Sequence, residues 1–216
     1  MLVGDLCGRE DLGLVIYNPD LGSAAAAFPF GGGRARAYFG YQTSAAYRIQ
    51  RRDKLPLFFS ESIRSAPIFA DIYSKAKDCG PLASFETSDS WIEHPYREGL
   101  ALIGDAAATS DPCYGQGMGL TLRDVRVLRD HLRADSDGNR AGHAYAAEHD
   151  SYFGRCHKAS SWLRFIFQDP TPRAARQRQK AMPLIAQDPT RVPDHTAGGP
   201  DLPTDDFVRD RFFGEI

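Results

Sequence analysis

Between Gly99 and Gly119 the chain concentrates the residue types that hold an anionic ligand. Leu100, Ala101, Leu102 and Ile103 form an apolar run that predicts a strand buried on both faces, and Gly104 and Asp105 follow it directly. Ligands meet open α/β sheets at the carboxyl ends of strands, and an unpaired carboxylate buried there would be costly. Past Asp111, Pro112, Cys113 and Tyr114, glycines recur at alternate positions, Gly115, Gly117 and Gly119, with Gln116 and Met118 between them. An amphipathic pattern begins at that point, so the spacing predicts a helix whose free N–H groups and positive dipole end suit a negatively charged group. The chemistry implied is cofactor binding.

The helix carries its own pattern. Met118, Leu122, Val125, Leu128 and Leu132 recur at helical spacing, which predicts a stripe packed against a core. Arg123, Arg126, Arg129 and Arg133 form a second stripe, and Asp124 and Asp130 are interleaved with it, as on a solvated face with local ion pairs. Other catalytic patterns are weak. Ser60, Ser62 and Ser65 sit in no Gly-x-Ser-x-Gly elbow, and Cys113 has no neighbouring histidine or basic residue to lower its thiol pKa. His143, His149 and His157 have no carboxylate at a matching ligand spacing and read as surface or structural histidines, so no metal site is expected. No catalytic side chain is assigned.

The ordered set Gly104, Asp105, Ala106, Ala107, Pro112, Gly115, Gln116, Gly117, Met118 and Asp124 resembles the second flavin fingerprint of the FAD-dependent aromatic hydroxylases, the single-component flavoprotein monooxygenases of the p-hydroxybenzoate hydroxylase type. Two positions depart from that pattern: Ala108 stands where the family often has histidine, and Gly119 and Thr121 stand where it has asparagine and a later glycine. The resemblance implies a flavoprotein that inserts one oxygen atom from dioxygen into an organic, aromatic substrate through a flavin peroxide, with FAD as cofactor and NAD(P)H as reductant. It also implies that Asp105 meets the ribityl hydroxyls and that Pro112 shapes the loop. Backbone N–H groups from Gly115 to Gly119 then stabilise charge on the reduced ring. The alternatives are a flavin-dependent halogenase or reductase of the same fold, or a truncated, partner-dependent chain without independent catalysis.

The Gly-x-Gly-x-x-Gly turn that opens the family's fold has no counterpart here. Gly31, Gly32 and Gly33 run into Arg34, Ala35 and Arg36, and Leu120 occupies the third glycine position after Gly115 and Gly117. The expected partners are therefore a small-molecule substrate and a missing N-terminal FAD-binding segment or a partner chain.

The fold expected is α+β, derived from an α/β flavoprotein, with an antiparallel substrate-domain sheet, a flavin-contacting strand-loop-helix and C-terminal helices. Its divisions are 1–98 for the sheet and its helices, 99–135 for the flavin-contacting unit, 136–187 for C-terminal helices and 188–216 for an extended Pro/Asp-rich tail. Strands are predicted at Leu14 to Tyr17 and Arg34 to Tyr41, with a loop from Gly22 to Gly33 between them. Phe39 and Tyr41 share a strand face, and in the family such a sheet roofs the substrate cavity, which makes them candidate substrate contacts. Helical patterning runs from Asp53 to Gly80, punctuated by Pro56 and Pro67.

At 216 residues and 42% hydrophobic content the chain is long enough to bury a real core. A net charge of −2 argues against nonspecific nucleic-acid binding. Cys7, Cys79, Cys113 and Cys156 form no Cys-x-x-Cys pair and suit a reducing cytoplasm, and no apolar run is long enough to span a membrane.

Overall fold

In Arg34, Ala35, Arg36, Ala37 and Tyr38, polar or aromatic residues alternate with alanines, the period of a strand with one buried face. The computed structural model describes residues 1–193 and 199–216 and divides into two units, 1–86 with 164–175, and 87–163 with 176–216. In the first unit β1 (Leu2–Gly4), β2 (Leu14–Asn18), β3 (Ser23–Gly31), β4 (Arg34–Gly40) and β5 (Lys77–Asp78) form an antiparallel sheet in the order β2-β3-β4-β1-β5. Ala35 and Ala37 of β4 are fully buried, while Arg34, Arg36 and Tyr38 are exposed.

The segment expected as a loop from Gly22 to Gly33 is instead β3, an interior strand. Ala24, Ala25, Ala26 and Ala27 are buried on both of its faces, and Ala26 pairs with Val15 on one side and Tyr38 on the other. Alanine has low strand propensity and shows no alternation, so local signals miss a strand whose small side chains fit between larger neighbours.

Helices α1 (Leu55–Ser65) and α2 (Phe69–Ile72) close one face of the sheet. Pro56 sits in the first turn of α1, and Ala66 turns extended ahead of Pro67, as the residue before proline must. Val3, Ala25, Ala27, Ala35 and Ala37 pack there with Phe58, Phe69, Ile72 and Tyr73.

The second unit begins with β6 (Ser90–Trp91), β7 (Tyr96–Arg97), β8 (Leu100–Ala101) and β9 (Ala108–Thr109), paired antiparallel as β6 with β9 and β7 with β8. Glu98 and Gly99, at φ 49° and 86°, form the two-residue turn of the second hairpin, where right-handed strand twist favours positive φ. Helices α3 (Gly117–Ala134), α4 (Gly138–Phe167), α5 (Pro172–Gln187) and α6 (Asp206–Phe213) follow, with α4 and α5 running across the division between units. Along α4, Tyr145, His149, Tyr152, Cys156, Ala159 and Leu163 are buried at alternating four- and three-residue spacing, a continuous helical stripe.

The tail differs from its expectation, apart from residues 194–198, which lie outside those described. Asp205 caps α6 by accepting the Val208 N–H at 3.0 Å, Gly214 ends it at φ 71°, and Phe212 is fully buried. The aspartates and prolines that suggested an extended tail include this helix's start signal. Among the described residues, no helix is long and apolar enough to cross a membrane.

One contact in this unit leaves no slack. A Cβ added to Gly142 would fall 2.1 Å from Cε2 of Tyr96, whose hydroxyl donates to Asn139 Oδ1 at 2.6 Å and accepts the Gly99 N–H at 2.9 Å. Gly142→Ala is therefore expected to destabilise the fold by about 1–3 kcal/mol in thermal or urea unfolding. Gly138→Ala, with open space beyond it, should change stability by less than about 0.5 kcal/mol.

Candidate cofactor site

Gly104 opens a tight turn, Gly104–Ala106, at φ 58°, in the left-handed region. Its N–H donates to Asp124 Oδ2 at 2.7 Å, and Thr121 approaches so closely that an added Cβ would lie 3.0 Å from both Cγ2 and Oγ1. A side chain is excluded here by conformation and by space together. The turn leaves Asp105 exposed, with no hydrogen bond or ion pair to another described residue. A carboxylate in that state is open to a ligand's hydroxyls.

Asp124 is itself buried, 1% exposed, on the inner face of α3. Besides Gly104, it accepts from the Tyr152 hydroxyl and from His149 Nδ1 at 3.0 Å. A carboxylate only accepts, so His149 carries its proton on Nδ1, and its buried Nε2 has no partner. Both neighbours come from α4, one turn apart. Burial, with the Asp124 bond second, drives the Tyr152 phenol far above its ordinary range, and burial does the same to Tyr145, whose hydroxyl donates to the Leu102 carbonyl at 2.6 Å. Two α4 tyrosines thus fix the Leu102–Gly104 backbone, one directly and one through Asp124.

The loop that follows is held by a second relay. Asp89 accepts the Asp111 N–H at 2.7 Å and lies 2.8 Å from His157 Nδ1. Asp111 in turn accepts the Cys113 N–H at 2.9 Å, capping the turn Pro112–Tyr114. Gly115 then reverses the chain at φ 68°, and Gln116 turns inward to donate from Nε2 to the Tyr114 carbonyl at 3.0 Å. No side chain caps α3, and no acidic residue lies in its first turn. Its free N–H groups and positive end therefore remain available to an anion. Burial pushes the Cys156 thiol up to about 11, which rules it out as a thiolate nucleophile near neutral pH.

Of the residues singled out from sequence, Gly104, Asp105, Pro112, Gly115, Gly117 and Gly119 lie along this turn-loop-helix, with Gln116 buried and Met118 79% exposed. Phe39 and Tyr41 belong to the first unit, stacked at 5.7 Å on the sheet's helix-covered side, with the Tyr41 hydroxyl accepting the Ile49 N–H at 3.0 Å. The expected strand buried on both faces is reduced to Leu100–Ala101, and Leu100 and Ile103 are exposed. The expected core stripe of α3 is likewise inverted: Leu120, Asp124 and Val127 face inward, whereas Met118, Leu122, Val125 and Leu132 face solvent and only Leu128 touches the core. Sequence reasoning missed His149, Tyr152 and Asp89. The signal for the first two was their place on the four-three spacing of α4.

Substitutions on the two faces of α3 separate these readings. Asp124→Ala leaves three donors unmatched and is expected to cost about 2–5 kcal/mol in urea unfolding, with faster hydrogen exchange at the Gly104 amide. Leu120→Ala should cost about 2–4 kcal/mol, while Leu122→Ala should stay within about 0.5 kcal/mol. A large loss at Leu122 would restore the outer stripe to the core.

No known protein-family profile matches the chain. Kynurenine 3-monooxygenase of Chaetomium globosum is 42% identical over 60 residues, covering 26% of this chain and 12% of that protein. The flavin-dependent brominase Bmp2 superposes with a TM-score of 0.70 at 13% identity, over 97% of this chain and 52% of the brominase. Klebsiella pneumoniae HpxO, solved with FAD and uric acid, gives a TM-score of 0.57 at 18% identity, over 81% of this chain and 46% of HpxO. The chain thus spans about half the length of these structures and a smaller share of the curated relative. Its partial α+β architecture, antiparallel sheet included, is the fold of the flavin-dependent monooxygenases, as the fingerprint from Gly104 to Asp124 led one to expect.

Proposed function

We propose that the chain forms the flavin-contacting part of an FAD-dependent monooxygenase that transfers one oxygen atom of dioxygen to an organic, aromatic substrate, with NAD(P)H as reductant. The observation that carries this reading is the open, uncapped start of α3 beside the free Asp105. A Cβ built on Gly115 or Gly119 meets nothing within 4 Å, and one on Gly117 meets only Ser110 Oγ at 4.0 Å. That hydroxyl is buried and has no partner. These features fit a flat, polar-edged ring system with a hydroxylated tail. Asp105 would hold the ribityl hydroxyls, Pro112 would set the loop against the ring, and the N–H groups from Gly115 to Gly119, with Gln116 and Met118 shaping the turn, would receive negative charge. Bound FAD would supply the oxygen-activating chemistry once reduced.

The exposed apolar residues Leu100, Ile103, Met118, Leu122 and Val125 support a second part of the reading, a further α/β segment with a pyrophosphate-binding turn, on this or another polypeptide, that covers them. The fold is also that of a brominase, so bromination is the second reading, and product analysis with bromide present separates the two.

Without such a segment, titration with FAD is expected to show only modest affinity. Asp105→Ala should then lose about 1.5–3 kcal/mol of flavin binding with the unliganded melting temperature unchanged, because its carboxylate holds nothing else. Gly117→Val should abolish flavin binding and leave unliganded melting near that of the parent, since the space beyond Gly117 is open. Undiminished FAD affinity in the valine variant would overturn the site.

A further inference from the structure

The arginines of α3 are not alike. Arg126, Arg129 and Arg133 are exposed, as a solvated stripe requires, but the Arg123 side chain is only 17% exposed and its Nε is buried without a hydrogen-bond partner. Its Nη1 and Nη2 donate to the two carboxylate oxygens of Asp201 at 2.7 and 3.0 Å. Asp201 ends the short turn Gly199–Asp201. Arg155 of α4 grips the same turn, donating from Nε to the Pro200 carbonyl at 3.0 Å, with its guanidinium 3.7 Å from Asp201. The Arg123 guanidinium lies over the Tyr152 ring, 5.4 Å from its centroid. From that ring the hydroxyl donates to Asp124, which accepts the Gly104 N–H that opens the turn carrying Asp105. An unbroken series of contacts therefore runs from the Gly199–Asp201 turn to the Gly104–Ala106 turn, all of it within the second unit.

Each link in that series is directional. An isolated surface ion pair contributes little, whereas a two-pronged pair inside a network fixes the side chain that makes it. A fixed cation over the negative face of a ring restrains the ring, and a restrained ring aims its hydroxyl. Glu148 of α4 stands 3.7 Å from Arg123 Nη2 and offers the guanidinium a second seat once Asp201 no longer holds it. We infer that Asp201 and Arg123 are positioning residues for the Gly104–Ala106 turn, keeping the Tyr152 hydroxyl on Asp124 from the outer side of the ring. Resting on the function proposed above, the Gly199–Asp201 turn thereby tunes flavin affinity, although none of its residues is among those that would hold the cofactor. Linkage makes the coupling reciprocal, so bound flavin in turn tightens the grip on Asp201.

The relay is read first on the flavin-free chain, by hydrogen exchange at the Gly104 amide. Asp201→Asn is expected to speed that exchange about 3- to 10-fold, and Arg123→Met by a similar factor. The two changes together should do no more than either alone, because both interrupt one series of contacts. Arg123→Lys, which keeps the cation but not the two-pronged grip, should fall between the parent and the methionine variant. Exchange at the Ala25 amide in β3 of the first unit should stay at the parent rate in every variant, since the opening is local. Titration with FAD then reads the consequence, and Asp201→Asn should weaken binding by about the same 3- to 10-fold. Unchanged Gly104 exchange in Asp201→Asn, additive acceleration in the double variant, or equal acceleration at Ala25 would overturn the relay. Unchanged FAD affinity beside faster Gly104 exchange would overturn its part in cofactor positioning. A parent chain that binds no FAD, with Gly104 exchange responding as expected, leaves the relay standing and removes the flavin reading instead.

Discussion

A single buried carboxylate organises the second unit. Asp124 lies inside the protein and is compensated by three donors, the Gly104 N–H, His149 Nδ1 and the Tyr152 hydroxyl. Burying a charge is tolerable only when its lone pairs are matched, so each donor is constrained by the others. Two of them lie on α4 and the third is the backbone of a turn, and the carboxylate therefore ties three separate stretches of chain to one point. The turn at Gly104 cannot relax without leaving that charge short of a partner.

The direction of α3 follows from the same constraint. With Asp124 facing inward, Leu120 and Val127 must share its face, and Met118, Leu122, Val125 and Leu132 are turned toward solvent. The helix thus sets Asp124 between Leu120 and Val127 on its core face and turns a further apolar stripe to water, whereas a surface helix ordinarily keeps its apolar stripe for the core. Arg123 helps to hold this orientation from the rim, pairing with Asp201 at 2.7 Å, and the guanidinium draws the Asp201 carboxyl below its ordinary range. The uncapped start of the helix and the free Asp105 come to lie beside one another as a result of packing on the far side of the same elements.

This explains which parts of the molecule were legible in the sequence. The glycine spacing, Pro112, and the prolines at the starts of α1 and α2 are conformational signals that act locally, and the turn-loop-helix and the helices of the first unit form where they indicate. The inner face of α3 was not legible, because a periodicity search scores Asp124 as polar and discards the stripe that contains it. Strand β3 escaped for the opposite reason: four alanines carry no alternation, and their place is set by Val15, Tyr17 and Tyr38 on the neighbouring strands. Helix α6 was hidden by composition, since the aspartate that caps it resembles the aspartates of an open tail. For α3 and β3 the missing information is long-range, a partner that the local window does not contain, whereas the cap of α6 is local and was masked only by its composition.

Two exposed apolar surfaces remain, and their chemistry differs. The α3 stripe with Leu100 and Ile103 is aliphatic and sulfur-bearing, without a hydrogen-bonding side chain among its members, and beside it the Leu100–Ile103 run has the character of an interior strand. Such a surface offers a partner shape and extent and no hydrogen bond. The sheet face around Arg36 differs, setting a guanidinium and the Tyr38 phenol in register beside the Phe28 ring. The two surfaces thus differ in what they would ask of a partner: the α3 stripe asks for apolar shape alone, and the sheet face asks for an acceptor to meet Arg36.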